Sequence, residues 1–187
     1  MRNGQWVDIS DDLSFFRQSV KAINTDKSPV WGVEVGSGGL AIRGLAPVVA
    51  RNGEHLGSVE TLVAFDPLMD SLGSGKGENT LLYMNPNKRS IATQLQDTGV
   101  YPTVHNHYVL VRGTTVGKIE QLISNEFLDS VTSGSNWYTA DGLLIAGMPV
   151  KDYKGEQIGT FVFSIDLSEQ QGILLTAGIT LLASFLF

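Results

Sequence analysis

Three charged residues inside an otherwise apolar stretch are the candidates for chemistry in this chain. Glu34, Arg43 and Glu60 all lie between Pro29 and Asp66, where valine, leucine, alanine and glycine predominate. An arginine among apolar residues requires a carboxylate partner, and its planar guanidinium can hold a ligand carboxylate with two parallel hydrogen bonds. The three residues therefore indicate either a site for a small charged ligand or a salt bridge inside the fold.

Turn signals in the same stretch predict how the three side chains meet. The glycine-rich residues 36–39 and the Asn52-Gly53 pair each predict a turn, so the segments around them should form three antiparallel strands. The turn positions also fix which residues face each other across neighbouring strands. The predicted pairs are Glu34 with Ala41, Arg43 with Leu62, and Leu45 with Glu60.

Side-chain alternation divides the predicted sheet into a charged face and an apolar face. The three charges share the first face with Leu45, Ser58 and Leu62. This face is either a solvated outer surface or the floor of a polar site. The apolar face carries Val33, Val35, Leu40, Ile42, Ala46, Val59 and Val63.

A sequence repeat divides the chain into two related parts. Pro149 follows Pro47 by 102 residues, and Gly159 follows Gly57 by the same offset. A constant offset across a proline and a glycine predicts two related modules in tandem. The matching segments are 42–48 (IRGLAPV) with 144–150 (LIAGMPV), and 52–59 (NGEHLGSV) with 154–161 (KGEQIGTF).

The repeat also serves as an internal control for the charged residues. At the same offset, Ile145 takes the place of Arg43, and Val162 takes the place of Glu60. The corresponding strand positions are therefore charged in the first module and apolar in the second. This difference favours a ligand site in the first module, with an intramodule salt bridge as the alternative.

Length and composition exclude several classes of function. The chain has 187 residues, enough for one ordinary domain or two small ones. A net charge of −6 without any basic run argues against nucleic acid as a partner, because phosphate binding needs clustered lysine and arginine. The absence of cysteine excludes disulfides, thiolate nucleophiles and cysteine-ligated zinc. The sequence also lacks a convergent acid–base or nucleophile set, so we expect no enzyme activity and no cofactor.

The C-terminal residues 172–187 (GILLTAGITLLASFLF) form an uncharged apolar run. The run is shorter than the ~20 residues that cross a bilayer. Thr176, Thr180 and Ser184 nevertheless recur at the spacing of a helix seam inside lipid. The run predicts a truncated transmembrane helix, and a buried C-terminal helix is the alternative.

Hydrophobic periodicity predicts two further helices. An amphipathic helix should cover residues 11–24, and a longer helix should cover 116–131. The other predicted segments are short helices at 68–72 and 86–96, and strands at 80–84, near the end of 101–111, and at 137–141, 143–150 and 157–168.

Two runs of the sequence are similar to a known family of sensor domains. The first begins DDLSFFRQSVKAIN at residue 11 and continues through the three strands to DPLM at 66–69. The second ends GEQIGTFVFSIDLSEQQ at residue 171 and leads into the apolar run. Both resemble the double Cache sensor domains of bacterial methyl-accepting chemotaxis proteins.

The resemblance implies an α+β fold of two tandem PAS-like (Cache) modules, each with an antiparallel sheet and flanking helices. A membrane-distal module, incomplete at its N-terminus, should cover residues 1–100, and a membrane-proximal module should cover 101–168. The start of a transmembrane helix should follow at 169–187.

The same resemblance implies the extracytoplasmic ligand-sensing domain of a transmembrane chemoreceptor, which signals through its second transmembrane helix. The sensor domain of a histidine kinase or a diguanylate cyclase is the first alternative, and a membrane-anchored enzyme or adhesion module is the second. We expect a homodimer in the bacterial inner membrane, with the sensor in the periplasm and a small ligand that carries a carboxylate or an amine. The predicted ligand-binding residues are Trp31, Glu34, Arg43, Glu60 and Tyr83.

Overall fold

The computed structural model describes residue 13 and residues 15–105, 108–113, 117–168 and 172. Within these ranges the fold is α+β, with nine strands in two antiparallel sheets and four short α-helices. The described part of the chain contains no helix that is long and apolar enough to cross a membrane. Except for Gly172, the predicted transmembrane helix at 169–187 lies outside the described residues.

A three-stranded meander forms the first sheet. Its strands are β1 (Val30–Gly36), β2 (Gly39–Val49) and β3 (His55–Ala64), in that order, and α1 (Gln18–Asp26) packs against them. The predicted registers of both hairpins are confirmed. The observed partners include Glu34 with Ala41, Arg43 with Leu62, and Leu45 with Glu60.

The second sheet contains the six remaining strands. They are β4 (Glu78–Met84), β5 (Thr103–Val104), β6 (Tyr108–Gly113), β7 (Asn136–Ala140), β8 (Leu143–Lys151) and β9 (Gln157–Asp166). Their order across the sheet is β5-β6-β4-β9-β8-β7. In the chain, α2 (Asp66–Leu72) links the two sheets, and α3 (Gly117–Leu122) and α4 (Asn125–Ser130) lie between β6 and β7.

The β2–β3 and β8–β9 hairpins have the same local geometry. Gly53 and Gly155 both have a φ of 87°, a left-handed conformation that glycine adopts without strain. The strand register shifts after Val48 in the first hairpin and after Val150 in the second. The repeated sequence thus corresponds to a repeated hairpin. The matching turn bonds run from the amides of Ala50 and Asp152 to the carbonyl oxygens of Glu54 and Glu156, each over 2.8 Å.

Strand β4 belongs to the second sheet although it falls within the predicted first module at 1–100. It pairs with β6 on one side and with β9 on the other. The predicted boundary between residues 100 and 101 therefore runs through the six-stranded sheet.

Segment 86–96, predicted as a short helix, contains only one turn of 3-10 helix at Pro86–Lys88. Further along the segment, the Gln94 amide donates to the Ser37 carbonyl oxygen in the β1–β2 turn over 2.9 Å. The prediction of a short helix at 86–96 is therefore wrong, since the segment forms no α-helix and its Gln94 amide bonds to the first sheet.

Segment 116–131, predicted as one helix, forms α3 and α4 instead. Ser124 has an extended backbone, and its hydroxyl accepts a hydrogen bond from the Phe127 amide over 3.2 Å. A serine with this bond caps the N-terminus of a new helix, so the prediction of a single helix is wrong. Of the helix predicted at 11–24, the part from Gln18 onwards is observed as α1, whereas residues 15–17 are not helical. The helix ends at Asp26, and Lys27 after it has a left-handed conformation.

Apolar side chains cover both faces of the six-stranded sheet. One cluster joins this sheet to the meander, because Val35 and Leu40 beside the β1–β2 turn pack with Leu82, Met84 and Phe161. This packing fixes the two sheets against each other. The second cluster, under α3 and α4, contains Leu81, Tyr83, Tyr108, Leu110, Ile119, Ile123, Phe127, Leu128, Val131, Leu143, Ile145 and Val162.

Candidate functional site

An arginine at the start of α1 forms a network with the three predicted charges. Arg17 donates from Nε to Oε2 of Glu34 over 2.9 Å, and from Nη2 to Oε1 of Glu60. Arg43 donates from Nη1 to the same Glu60 oxygen over 3.0 Å, and its Nε lies 4.0 Å from Oε2 of Glu34. We call Arg17, Glu34, Arg43 and Glu60 the charge network.

The charge network is largely buried and electrically balanced. Arg17, Glu34 and Arg43 are nearly inaccessible, whereas the Glu60 side chain on the edge strand β3 is 28% exposed. Ser19 supplies two more donors to Glu34, its amide at 2.9 Å and its hydroxyl at 2.5 Å. Two guanidinium groups and two carboxylates cancel in charge, and this pairing allows ionised groups to remain buried.

The local backbone explains how Arg43 fits beneath α1. Alternation along β1 and β2 places Glu34 and Arg43 on the same face, as the registers predict. Gly36 leaves the space that the Arg43 guanidinium occupies, because a Cβ at this position would collide with Nη2. The glycine of the β1–β2 turn is therefore part of the construction of the site.

Sequence reasoning missed Arg17. This residue precedes α1 at the N-cap position, where a positive charge opposes the helix dipole. The predicted helix at 11–24 put Arg17 in its middle, so the position of this cation at a helix N-terminus was not available as a signal. Its partners Glu34 and Glu60 become neighbours only when α1 docks on the meander, which no local sequence pattern specifies.

The structure separates Trp31 and Tyr83 from the charge network. Trp31 lies on the opposite face of the meander, paired with Gly44, and is 76% exposed. Tyr83 lies in β4 of the second sheet, inside the apolar cluster under α3 and α4. Of the five residues predicted to bind ligand, the structure brings together the three charged ones only.

The environment of Tyr83 is apolar and aromatic. Its ring meets the rings of His105 and Tyr108 edge to face, with centroid distances of 5.9 and 6.3 Å. Burial raises the pKa of Tyr83 far above its ordinary value, and the charge of Glu120 adds to this effect. Its buried hydroxyl has no hydrogen-bond partner among the described residues. Tyr83 thus remains protonated and offers an unused donor in the core of the second sheet.

A cleft of about 320 Å³ between the two sheets reaches the charge network at Glu34. Its wall includes Tyr153 in the β8–β9 turn, whose buried hydroxyl has no hydrogen-bond partner among the residues that the structure describes. Burial raises the pKa of Tyr153, although the Lys154 ammonium, 5.6 Å from the ring centroid, works against this shift. The other charged or aromatic residues of the wall are Phe15, Phe16, Lys88, Asp152 and Glu156.

Charges of both signs therefore meet in the cleft. Lys88 and Lys154 can bind a carboxylate, and Glu34, Asp152 and Glu156 can bind an ammonium. The β8–β9 turn is held in shape by Asp152, whose Oδ1 accepts hydrogen bonds from two amides of the turn at 2.8 and 2.9 Å. A few placed polar groups in a concave site are typical of small-molecule recognition.

Residues 7–171 match a protein family described as the double sensory domain of two-component sensor kinase. The chain belongs to this family. The match extends over the described residues of both sheets and confirms the predicted resemblance to double Cache sensor domains. The family is one of sensory domains, as the resemblance implies.

Two solved structures resemble this double Cache domain. Both are the ligand-binding domain of the Pseudomonas fluorescens chemoreceptor CtaA, one in complex with L-serine and one with L-leucine. The first match has 14% identity and a TM-score of 0.36, and it covers 87% of this chain and 64% of that chain. The second has 12% identity and a TM-score of 0.35, with 88% and 64% covered. This double Cache domain thus spans less than two thirds of the length of either solved chain, and a comparison with curated proteins finds no match.

Proposed function

We propose that this double Cache domain binds a small zwitterionic molecule outside the cytoplasm and reports it through a transmembrane chemoreceptor. The observation that supports this proposal is the cleft between the sheets, which carries both signs of charge and contains Glu34 of the charge network. Its volume of about 320 Å³ lies within the range of small-molecule sites, roughly 300 to 1,000 Å³. A zwitterion combines the carboxylate and the amine that the sequence analysis left as alternatives.

The proposed ligand is oriented by its two charges. Its carboxylate lies towards Lys88 and accepts a hydrogen bond from the Tyr153 hydroxyl, which has no partner among the described residues. Its ammonium lies towards Glu34 and Asp152, on the side of the cleft formed by β1 and the β8–β9 turn. The pose satisfies the unpaired phenol and leaves no ligand charge without a partner.

Arg43 and Glu60 act in this proposal through Glu34. Arg17, Arg43 and Ser19 hold the Glu34 carboxylate, and Glu60 balances the second arginine. A fixed carboxylate needs little reorganisation when the ligand ammonium arrives, which favours binding. Arg43 and Glu60 are therefore positioning residues, and Glu34 is the network residue that touches the ligand.

The cleft also offers a route for the signal. Its walls come from both sheets, so a bound ligand changes how the β8–β9 turn sits on β1. Strand β9 leads from this turn to Asp166, shortly before the predicted transmembrane helix at 169–187. A ligand shifts such an equilibrium only by its difference in affinity for the two states. We infer that the states differ in the position of the turn.

The arrangement of the protein completes the proposal. The sensor lies in the periplasm of a bacterial inner-membrane receptor and works as a homodimer. The pairing of β4 with β9 supports a module boundary in the loop at 73–77 instead of at residue 100. The meander and α1 then belong to the membrane-distal module, and the six-stranded sheet is the membrane-proximal module.

The second candidate is the sensor domain of a histidine kinase, with a diguanylate cyclase as a variant. The family description favours it, because it names two-component sensor kinases. The ligand chemistry is the same in both cases, and the difference lies in the cytoplasmic output. The cytoplasmic sequence that follows the transmembrane helix decides between them: a long heptad hairpin indicates a chemoreceptor, and kinase motifs indicate a sensor kinase.

A thermal-shift screen tests the proposed ligand class. Amino acids, simple carboxylic acids and simple amines are added separately, and we expect zwitterions to raise the melting temperature most. Lys88→Gln should abolish this rise, whereas Lys76→Gln, in an exposed loop away from the cleft, should preserve it. A screen in which no zwitterion raises the melting temperature would contradict the proposal.

A further inference from the structure

Two phenylalanine rings just before α1 line the cleft between the sheets. Phe15 and Phe16 both belong to its wall, and Phe15 is 74% exposed. Among the described residues, neither ring belongs to the two apolar clusters that form the core. A single exposed apolar side chain is ordinary, but aromatic side chains in the wall of a concave site are a common feature of ligand binding. The two rings are therefore available to a ligand.

The rings enter the cleft from the segment that also holds Glu34. Arg17, which directly follows Phe16, donates from Nε to Oε2 of Glu34 over 2.9 Å. The Ser19 amide donates to Oε1 of the same carboxylate over 2.9 Å. Glu34 receives the ligand ammonium in the proposed pose, so the segment at 15–19 brings aromatic rings to the ammonium site.

The carboxylates at this site have negative charge but only part of their hydrogen-bonding capacity left. Glu34 already accepts three hydrogen bonds from Arg17 and Ser19, and Oδ1 of Asp152 accepts two from amides of the β8–β9 turn. Two carboxylates have roughly eight lone-pair sites, so more than half are occupied. A primary ammonium brings N–H donors that all need acceptors, whereas a fully methylated ammonium needs negative charge alone. The arrangement therefore favours a methylated ammonium.

The ring faces of the cleft also suit a cation. The face of an aromatic ring carries partial negative charge and attracts a cation within about 6 Å of its centroid. Phe15 and Phe16 meet edge to face, with centroids 4.6 Å apart, and this contact leaves ring faces open to a ligand. The third ring of the wall, that of Tyr153, already lies 5.6 Å from the Lys154 ammonium. The charge balance acts in the same direction, because three carboxylates outnumber two ammonium groups in the wall.

We propose that the cleft is selective for zwitterions whose ammonium group is methylated, and that Phe15 and Phe16 determine this specificity. The methyl groups pack against the two rings, and the positive charge faces Glu34 and Asp152. The ligand carboxylate keeps its place towards Lys88. This inference rests on the proposed zwitterion site and narrows the class of ligand that the site takes.

A series of N-methylated glycines tests the specificity. The full chain in a non-ionic detergent is titrated calorimetrically with glycine, N-methylglycine, N,N-dimethylglycine and N,N,N-trimethylglycine. We expect the affinity to rise along the series, and trimethylglycine should bind at least about 10-fold more tightly than glycine. The isosteric anion 3,3-dimethylbutanoate has a tert-butyl group where trimethylglycine has its trimethylammonium group. It lacks the positive charge and should bind at least about 10-fold more weakly than trimethylglycine.

Variants of the two rings test which residues determine the specificity. Phe15→Leu keeps an apolar side chain but removes the ring face, and Phe16→Leu does the same at the next position. Each should lower the ratio of trimethylglycine affinity to glycine affinity at least about 5-fold. Trp137→Leu is the matched control, because it removes a ring of similar exposure (67%) in β7, outside the cleft, and should leave this ratio unchanged. Far-UV circular dichroism confirms that each variant is folded before it is compared.

The outcomes separate this inference from the proposed function on which it rests. Equal affinities for glycine and trimethylglycine, or an unchanged ratio in both phenylalanine variants, would overturn the inference and leave the zwitterion site standing. Tighter binding of leucine than of trimethylglycine would overturn it in favour of an apolar ligand side chain. Equal binding of 3,3-dimethylbutanoate and trimethylglycine would show that the rings recognise shape and not charge. If no zwitterion binds, both the inference and the proposed function are wrong.

Discussion

The Tyr153 amide donates a hydrogen bond to the Val33 carbonyl oxygen over 3.2 Å, and this bond joins the β8–β9 turn to β1. Asp152 and Val33 also form a parallel bridge at the same point. Val33 immediately precedes Glu34, so the charge network and the turn are separated by one peptide unit. A displacement of the β8–β9 turn therefore also displaces Glu34, and a displacement of Glu34 also moves the turn. A sensor needs such coupling between its parts.

Gly32→Ala should disrupt this joint. A Cβ at Gly32 would lie 2.6 Å from the Tyr153 Cβ, so the turn must move away from β1. Gly57→Ala is the control, because Gly57 has a similar φ (140° against 150°) but no neighbour within 4 Å. Urea denaturation should show that Gly32→Ala costs about 1–3 kcal/mol more than Gly57→Ala. If both variants lost the same free energy of unfolding, the β8–β9 turn would be able to move away from β1 without a measurable cost.

Arg43→Ala should destabilise the fold strongly. It leaves Glu34 and Glu60 with one guanidinium between them, and breaking a buried ion pair costs about 3–5 kcal/mol. Arg112→Ala removes an exposed ion pair with Asp70 and should cost only roughly 0–1 kcal/mol. Chemical denaturation measures both values. An Arg43→Ala protein as stable as the wild type would show that the network does not support the fold.

The same variant separates structure from ligand binding. If Arg43 positions Glu34, folded Arg43→Ala protein at low temperature should bind the best zwitterion of the screen with at least about 10-fold lower affinity. Calorimetry below the melting temperature of the variant gives this ratio. Unchanged affinity would limit Arg43 to a structural salt bridge.

Stability should fall in strongly alkaline solution through Tyr108. Burial, followed by its hydrogen bond to Asp129 at 3.0 Å and the Asp129 charge, raises the pKa of Tyr108 to about 12. An unfolded tyrosine loses its proton near pH 10, so the folded state keeps the proton longer. The contribution of Tyr108 to the free energy of unfolding is fully present below pH 10. It is lost as the pH rises towards 12, by up to about 1.4 kcal/mol per pH unit. Tyr108→Phe should show a shallower decline than wild type in pH-dependent denaturation, and parallel curves would contradict the assignment.

The C-terminal run should behave as part of a membrane helix. A chain that ends at Gln170 should be soluble and monodisperse, whereas the chain that ends at Phe187 should need detergent. Size-exclusion chromatography with and without detergent compares the two. Equal solubility of both chains would favour the alternative of a buried C-terminal helix.

The registers of the meander could be predicted because they depend on local signals. The Asn52-Gly53 turn and the alternation of side chains together place Glu34, Arg43 and Glu60 on one face. The same alternation assigns Trp31 to the opposite face, so its place in the predicted site conflicted with the pattern itself. The pairing of the strands, and the sheet face on which each side chain lies, could therefore be derived from residue spacing alone.

The remaining features depend on contacts between distant segments. Arg17 joins the network only because α1 docks on the meander, and β4 joins β9 across more than seventy residues of chain. Likewise, the Gln94 amide bonds to the Ser37 carbonyl oxygen in the β1–β2 turn, a contact that no pattern within 86–96 specifies. No local pattern carries this information, and the cleft itself exists only because the two sheets meet.

The balance of the charge network also determines how the domain responds to salt. Mobile ions screen exposed charges strongly and buried ones weakly, and a neutral cluster of two guanidinium and two carboxylate groups gives them little net field to act on. On the proposed outer side of the membrane, the surroundings and not the cell set the ionic strength. The geometry around Glu34 should therefore persist when the ionic strength changes, whereas the more exposed charges of the cleft, Lys154 and Glu156, should attract a charged ligand less strongly at high salt.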